Sequence, residues 1–225
     1  MKEDNQDLRV RRSLLTGMGA AAAALAAGAA HADEAKFEPA RHDGDAWMGE
    51  GSHKHRTWID TSYGLGGMEA LHYANNILTA NTAVDGGSDA DYSMIICWRH
   101  YATALGYRDP VWAKYGEILS SAMGLNDPQT GKAFMVNPAS IQGRQDLDNG
   151  GDTIEKMLGR GVRFALCNAA TRWYAGYIAS ETGGDASKIY DEFVAAAIPN
   201  SRFVHAGVFA TTRAQEYGYS LLYAG

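Results

Sequence analysis

The stretch Val162-Arg163-Phe164-Ala165-Leu166-Cys167-Asn168-Ala169-Ala170-Thr171-Arg172 is a short apolar run that ends in a thiol where a helix begins. Too brief for a buried helix, the run reads as a strand covered on both faces. A strand that passes straight into a helix is the unit from which parallel α/β sheets are built. The carboxyl end of such a strand is where open sheets place their chemistry. A helix N-terminus there favours the thiolate form of Cys167, the form that reacts. The same position also suits an inert core thiol, because free cysteine is among the most buried residue types.

Working outward, the same alternation recurs. Arg56-Thr57-Trp58-Ile59-Asp60-Thr61 reads as a first strand, and Met68, Leu71, Asn75 and Leu78 follow at helical spacing. Tyr92-Ser93-Met94-Ile95-Ile96-Cys97 is a continuous apolar strand. A helical reading of 98–124 is interrupted by Gly106 and Pro110, and 132–151 is too rich in Asn, Gln, Gly and Asp for a regular element. A segment that long is either a functional lid or loosely held surface. Asp152-Thr153 caps a short helix over 154–158. After the Cys167 strand come helices to about Ser180 and over 186–198, a strand at 202–205, a helix over 208–217 and a last strand at 219–223. Five strands alternating with helices predict a three-layer α/β/α sandwich with a mainly parallel sheet.

The N-terminus concerns address rather than chemistry. Arg11-Arg12-Ser13-Leu14-Leu15 leads into an Ala/Gly-rich stretch and then Ala30-His31-Ala32 before acidic Asp33-Glu34. Paired arginines, a mild apolar core and small residues at a cleavage site read as a twin-arginine export signal over 1–32, cut after Ala32, which implies a periplasmic protein. The run is shorter and less apolar than the ~20 residues a membrane span needs, so no stable membrane anchor is expected. Residues 33–52, with Pro39, Gly44, Gly49 and Gly51, read as an extended arm, and 53–225 as a single domain.

The 225-residue chain carries a net charge of −6. Residues 1–32 hold four basic and three acidic side chains, so the remainder stands at −7. No basic cluster survives cleavage, and nucleic acid is not an expected partner. The two cysteines, Cys97 and Cys167, permit one disulfide in an oxidising compartment but form no Cys-x-x-Cys. Gly64-x-Gly66-Gly67 is similar to a phosphate loop yet lacks its Lys-Ser/Thr, and no Gly-x-Ser-x-Gly is present. No cofactor is therefore implied.

Several stretches, in order, resemble the DsrE/DsrF-like family of small sulfur-handling proteins. They are Gly161-Val162-Arg163-Phe164-Ala165-Leu166-Cys167-Asn168, then Ile198-Pro199, then Gly207-Val208 running to Arg213-Ala214-Gln215-Glu216-Tyr217-Gly218-Tyr219. Softer matches lie at 56–60, at Asn75-Asn76-Ile77-Leu78 and at 93–97, and 98–151 looks like an insertion. The resemblance implies a five-stranded sandwich of strand order 4-3-2-1-5 and a homo-oligomer. It places a sulfur-carrying thiol on Cys167, and it has Gln215, Gly218 and Tyr219 shape the last helix and strand. It further implies that the strands ending in Cys97 and Cys167 are neighbours, so that Cys97 resolves or locks Cys167.

On this reading the chain is a sulfur carrier or sulfurtransferase that holds a persulfide on Cys167. Its partner is a donor or acceptor protein or a small sulfur compound. Asn168 and Thr171 cap the following helix or orient a ligand, and Arg172 supplies positive charge. A second reading is a non-catalytic oligomeric binding protein that uses the strand-end rim for a small ligand, a partner or a metal. His100 and His205 each fall near a strand's carboxyl end, and His53-x-His55 point the same way in a strand. Such a convergence suits zinc or copper, although scattered histidines more often serve the surface or core.

Overall fold

A computed structural model describes residues 38–225. The export signal and its cleavage point lie outside the described residues. Five strands, β1 (His55–Thr61), β2 (Tyr92–Trp98), β3 (Arg163–Cys167), β4 (Ser201–Val204) and β5 (Ser220–Ala224), form one sheet in the order β4-β3-β2-β1-β5. Every pairing is parallel. The helices are α1 (Gly64–Asp85), α2 (Asp109–Met123), α3 (Ile154–Gly159), α4 (Asn168–Thr182), α5 (Ala186–Ala195) and α6 (Gly207–Glu216). The molecule is a three-layer α/β/α sandwich.

Strand alternation sorts the side chains into two cores. Ile59, Ile96, Trp98, Phe164 and Leu166 face a large cluster with Leu71 and Leu78 of α1, Trp112 of α2, Tyr174 of α4 and Phe193 of α5. Trp58, Ile95, Cys97 and Ala165 face a smaller cluster with Ala210 and Ala214 of α6. The crossovers out of β1, β2 and β3 thus cover one face, and the crossover out of β4 covers the other.

The arm departs from expectation. Residues 43–49 form a 3-10 helix whose Trp47 and Met48 are buried in the smaller core, Trp47 lying 6.4 Å from Trp58. Its last carbonyls are held by the Arg56 and Arg163 guanidinium groups and by the Tyr219 hydroxyl. With α6 and the Tyr219 ring, this turn shields Trp58. Two apolar residues among Asp, Gly and Glu gave too little pattern to predict it.

Residues 98–151 make up most of the β2-to-β3 crossover, with a 3-10 helix at His100–Gly106 followed by α2. The irregular part is pinned rather than loose. Asn137 is buried and donates through Nδ2 to the Leu105 and Tyr107 carbonyls, both at 2.8 Å. Asp152 accepts from His72 at 2.8 Å and from Lys156 at 2.6 Å. The glycines of Gly64-x-Gly66-Gly67 serve close packing. A Cβ on Gly66 would stand 2.3 Å from the Ala224 carbonyl oxygen, so the first turn of α1 rests on the end of β5.

Among the described residues no helix is long and apolar enough to cross a membrane.

Candidate functional site

β3 and β4 are adjacent and parallel, yet the chain leaves them toward opposite faces of the sheet, into α4 and α6 respectively. Such a divergence opens a crevice at the carboxyl ends of the two strands, the usual ligand position in open α/β sheets. Cys167 ends β3 and caps α4: its Sγ accepts the Ala170 N–H at 3.4 Å. It also accepts the Gly207 N–H, the first of α6, at 3.2 Å. Two helix N-termini therefore converge on one sulfur atom. Each presents backbone N–H groups with no partner inside its own helix, and a partial positive charge.

Above the sulfur lies a cavity of about 370 Å³, lined by Arg99, His100, Tyr101, Cys167, Ala169, Ala170, Trp173, Ala206, Gly207 and Val208. Cys167 is only 6% exposed, at its floor. The walls are mostly apolar, with Trp173 against Tyr101 at 5.7 Å and His100 against Tyr101 at 4.1 Å. The Tyr174 hydroxyl holds the Tyr101 carbonyl at 2.9 Å and so fixes that wall. His100 adopts the left-handed backbone conformation at φ 53°, a sparsely populated state for a side-chain-bearing residue.

Arg99 supplies the charge. Its guanidinium forms a two-pronged pair with Asp60 at the end of β1, Nε to Oδ1 and Nη2 to Oδ2, each at 2.8 Å. The Thr211 hydroxyl, which receives the Trp58 indole N–H at 3.1 Å, has two acceptors within reach of its one proton, the Gly207 carbonyl at 3.0 Å and the same Asp60 Oδ1 at 3.2 Å. This bonding to Asp60 pushes the Arg99 guanidinium further up from an already high value. Among the described residues no hydrogen bond occupies Arg99 Nη1.

Cys97 lies on the same sheet face but not opposite Cys167. Its register partner on β3 is Ala165, two residues short of Cys167, which pairs with Val204. Both thiols are free. The strands that carry Cys97 and Cys167 are neighbours, as the resemblance implies, with the two cysteines offset by two residues in register. Burial, with the Asp60 carboxylate behind it, pushes the Cys97 thiol well up and keeps it protonated.

The other expected residues divide. His100 reaches the cavity with Cys167, whereas Asn168, Thr171, Arg172 and His205 do not line it. Asn168 accepts the Tyr190 hydroxyl at 2.9 Å, and Arg172 lies over the Tyr190 ring. Thr171 is buried, donating to the Cys167 carbonyl and accepting from Tyr107, so it secures the first turn of α4. His205 is exposed and borders a separate cavity of about 230 Å³ with Asp45, Arg202 and Phe209. His55 stacks on Tyr92 and His53 bonds the Ala90 carbonyl. Among the described residues no three His, Cys, Asp or Glu side chains gather as metal ligands.

Sequence reasoning missed Arg99, Asp60 and Trp173. Arg99 directly follows the last residue of β2, a position that could have marked it as rim-facing. Comparison with protein-family models, curated proteins and solved structures returned no match.

Proposed function

We propose that this protein carries sulfane sulfur as a persulfide on Cys167, the carrying observation being the convergence of two helix N-termini on that sulfur beneath an open cavity. A sulfur at this place is met by two amide N–H donors, from Ala170 and Gly207. The step is an exchange between sulfur atoms. The Cys167 thiolate attacks the outer sulfur of a donor persulfide, R–S–SH. The bond between the two donor sulfurs breaks, R–S⁻ leaves with the electron pair, and Cys167–S–SH remains with the proton.

The DsrE/DsrF-like resemblance and the twin-arginine signal complete the reading: an exported, periplasmic member of that family, acting with a donor or acceptor of sulfur. The mostly apolar walls and the 6% exposure of Cys167 also favour a second use of the cavity, holding a small ligand without covalent chemistry. Intact mass after incubation with a low-molecular-weight persulfide separates the two. Gain of one sulfur atom, lost in Cys167→Ser, supports the carrier. Ligand binding that is unchanged in Cys167→Ser, with no gain of mass in the parent chain, supports the second reading.

A further inference from the structure

Three rings hold the Trp173 indole, which is nonetheless 48% exposed. Tyr177, one turn along α4, stacks on it at 5.3 Å with 16° between the planes. Tyr101 and Tyr174 meet it at 5.7 and 5.0 Å and at steep angles of 77° and 70°. A large apolar ring fixed beside water is a surface that a ligand gains by covering. Trp173 lines the Cys167 cavity together with Ala169 and Ala170 of the same helix and the exposed Val208 of α6. At about 370 Å³ that cavity falls within the ~300–1,000 Å³ typical of pockets for small organic molecules. Of its lining side chains Arg99 alone bears a permanent charge, and the Asp60 carboxylate matches that charge at 2.8 Å.

On the reading of Cys167 as the sulfur carrier, on which this assignment rests, we propose that its donor is a small uncharged organic persulfide with an apolar, ring-bearing body, and that Trp173 selects it. Cys167 sits nearly buried at the cavity floor, so a donor has to enter between the walls to reach it. Mostly apolar walls disfavour a charged guest and hold a persulfide as R–S–SH, the form whose outer sulfur a thiolate attacks. A bond forms between Cys167 Sγ and that outer sulfur as the donor S–S bond breaks. The R–S⁻ thiolate leaves with the electron pair, and the proton stays on the transferred sulfur. Throughout, the ring of R lies against Trp173. A sulfur oxyanion such as thiosulfate finds no unbalanced cation in this cavity, and glutathione persulfide brings charged ends to apolar walls.

Single-turnover loading, read by intact mass against donor concentration, tests the assignment with benzyl persulfide, glutathione persulfide and thiosulfate. Benzyl persulfide should load Cys167 about tenfold more efficiently than either of the others. Trp173→Ala should raise its half-saturating concentration about tenfold, leaving the limiting rate and the loading from glutathione persulfide unchanged. Trp173→Phe, which keeps a ring, should restore most of the loss. Should Trp173→Ala disturb α4, the ranking of donors on the parent chain decides. Benzyl methyl sulfide, which has no sulfane sulfur to give, separates the ligand class from the carrier. Calorimetry should show one site per chain, weakened in Trp173→Ala by the same factor. Such binding with no gain of sulfur from any donor would end the carrier reading and leave the ligand class standing. Equal loading from all three donors, or loading and binding indifferent to Trp173→Ala, would overturn the proposal and leave the carrier standing.

Discussion

A Cβ atom on Gly207 would lie 2.3 Å from the Cβ of Arg99. The residue whose N–H reaches the Cys167 sulfur is therefore glycine because the Arg99 stem passes directly over it. One contact locks together the carboxyl end of β2, the N-terminus of α6 and the sulfur of β3. Gly207→Ala must move α6 or Arg99, and overpacking of this kind costs about 1–3 kcal/mol. The expected outcome is a lower urea midpoint together with slower sulfur loading. Loading at the parent rate would mean that the Gly207 N–H contributes nothing.

Arg99 and Asp60 should prove strongly coupled. Asp60 is nearly buried, so removing its partner in Arg99→Met strands a carboxylate, at a cost of about 3–5 kcal/mol. Asp60→Asn strands the guanidinium in the same way. The double variant Asp60→Asn/Arg99→Met removes both charges and should lose clearly less than the sum of the singles. Equilibrium denaturation of the four chains measures this, and simple additivity would refute the coupling.

The left-handed backbone of His100 predicts an unusual ranking. Glycine adopts φ 53° without strain, whereas alanine does not. His100→Gly should therefore be at least as stable as His100→Ala, by about 1 kcal/mol, the reverse of the order in ordinary helix or strand. Thermal unfolding of the two variants gives the comparison.

Asp89 links acid stability to a surface crossover. Its hydrogen bonds from the Arg160 guanidinium, at 2.7 and 2.9 Å, hold the carboxyl below its usual 3.8. The folded value is thus lower than the unfolded one. The pair's stabilisation is present above the unfolded value and fades as pH falls through the folded one. Asp89→Asn should flatten the loss of stability below pH ~4 and change little at neutral pH beyond a constant offset. An unchanged acid limb would contradict the assignment.

Much of the architecture was legible in local pattern. The runs at 92–97 and 162–167 are apolar without interruption, which only a sheet covered on both faces explains, and each is followed by helical spacing. The arm's share of the second face was not legible, because Trp47 and Met48 are two large apolar residues within a polar segment. The site was legible at Cys167, whose position at a strand-helix junction is a local feature. Arg99 and Asp60 were hidden because their pairing is a property of sheet order: they end neighbouring strands 39 residues apart. Which way Thr171, Arg172 and Asn168 point was hidden for a related reason. A residue one turn into α4 faces either the crevice, as Ala170 and Trp173 do, or the core and α5, as Thr171 and Arg172 do, and order in the chain does not say which.

The most direct measurement is peptide-level mass spectrometry of the chain after brief exposure to a low-molecular-weight persulfide, with thiols trapped by alkylation. One added sulfur on the peptide bearing Cys167, with Cys97 unmodified, is the predicted result. Sulfur on neither cysteine, or on Cys97 in its place, would contradict the account.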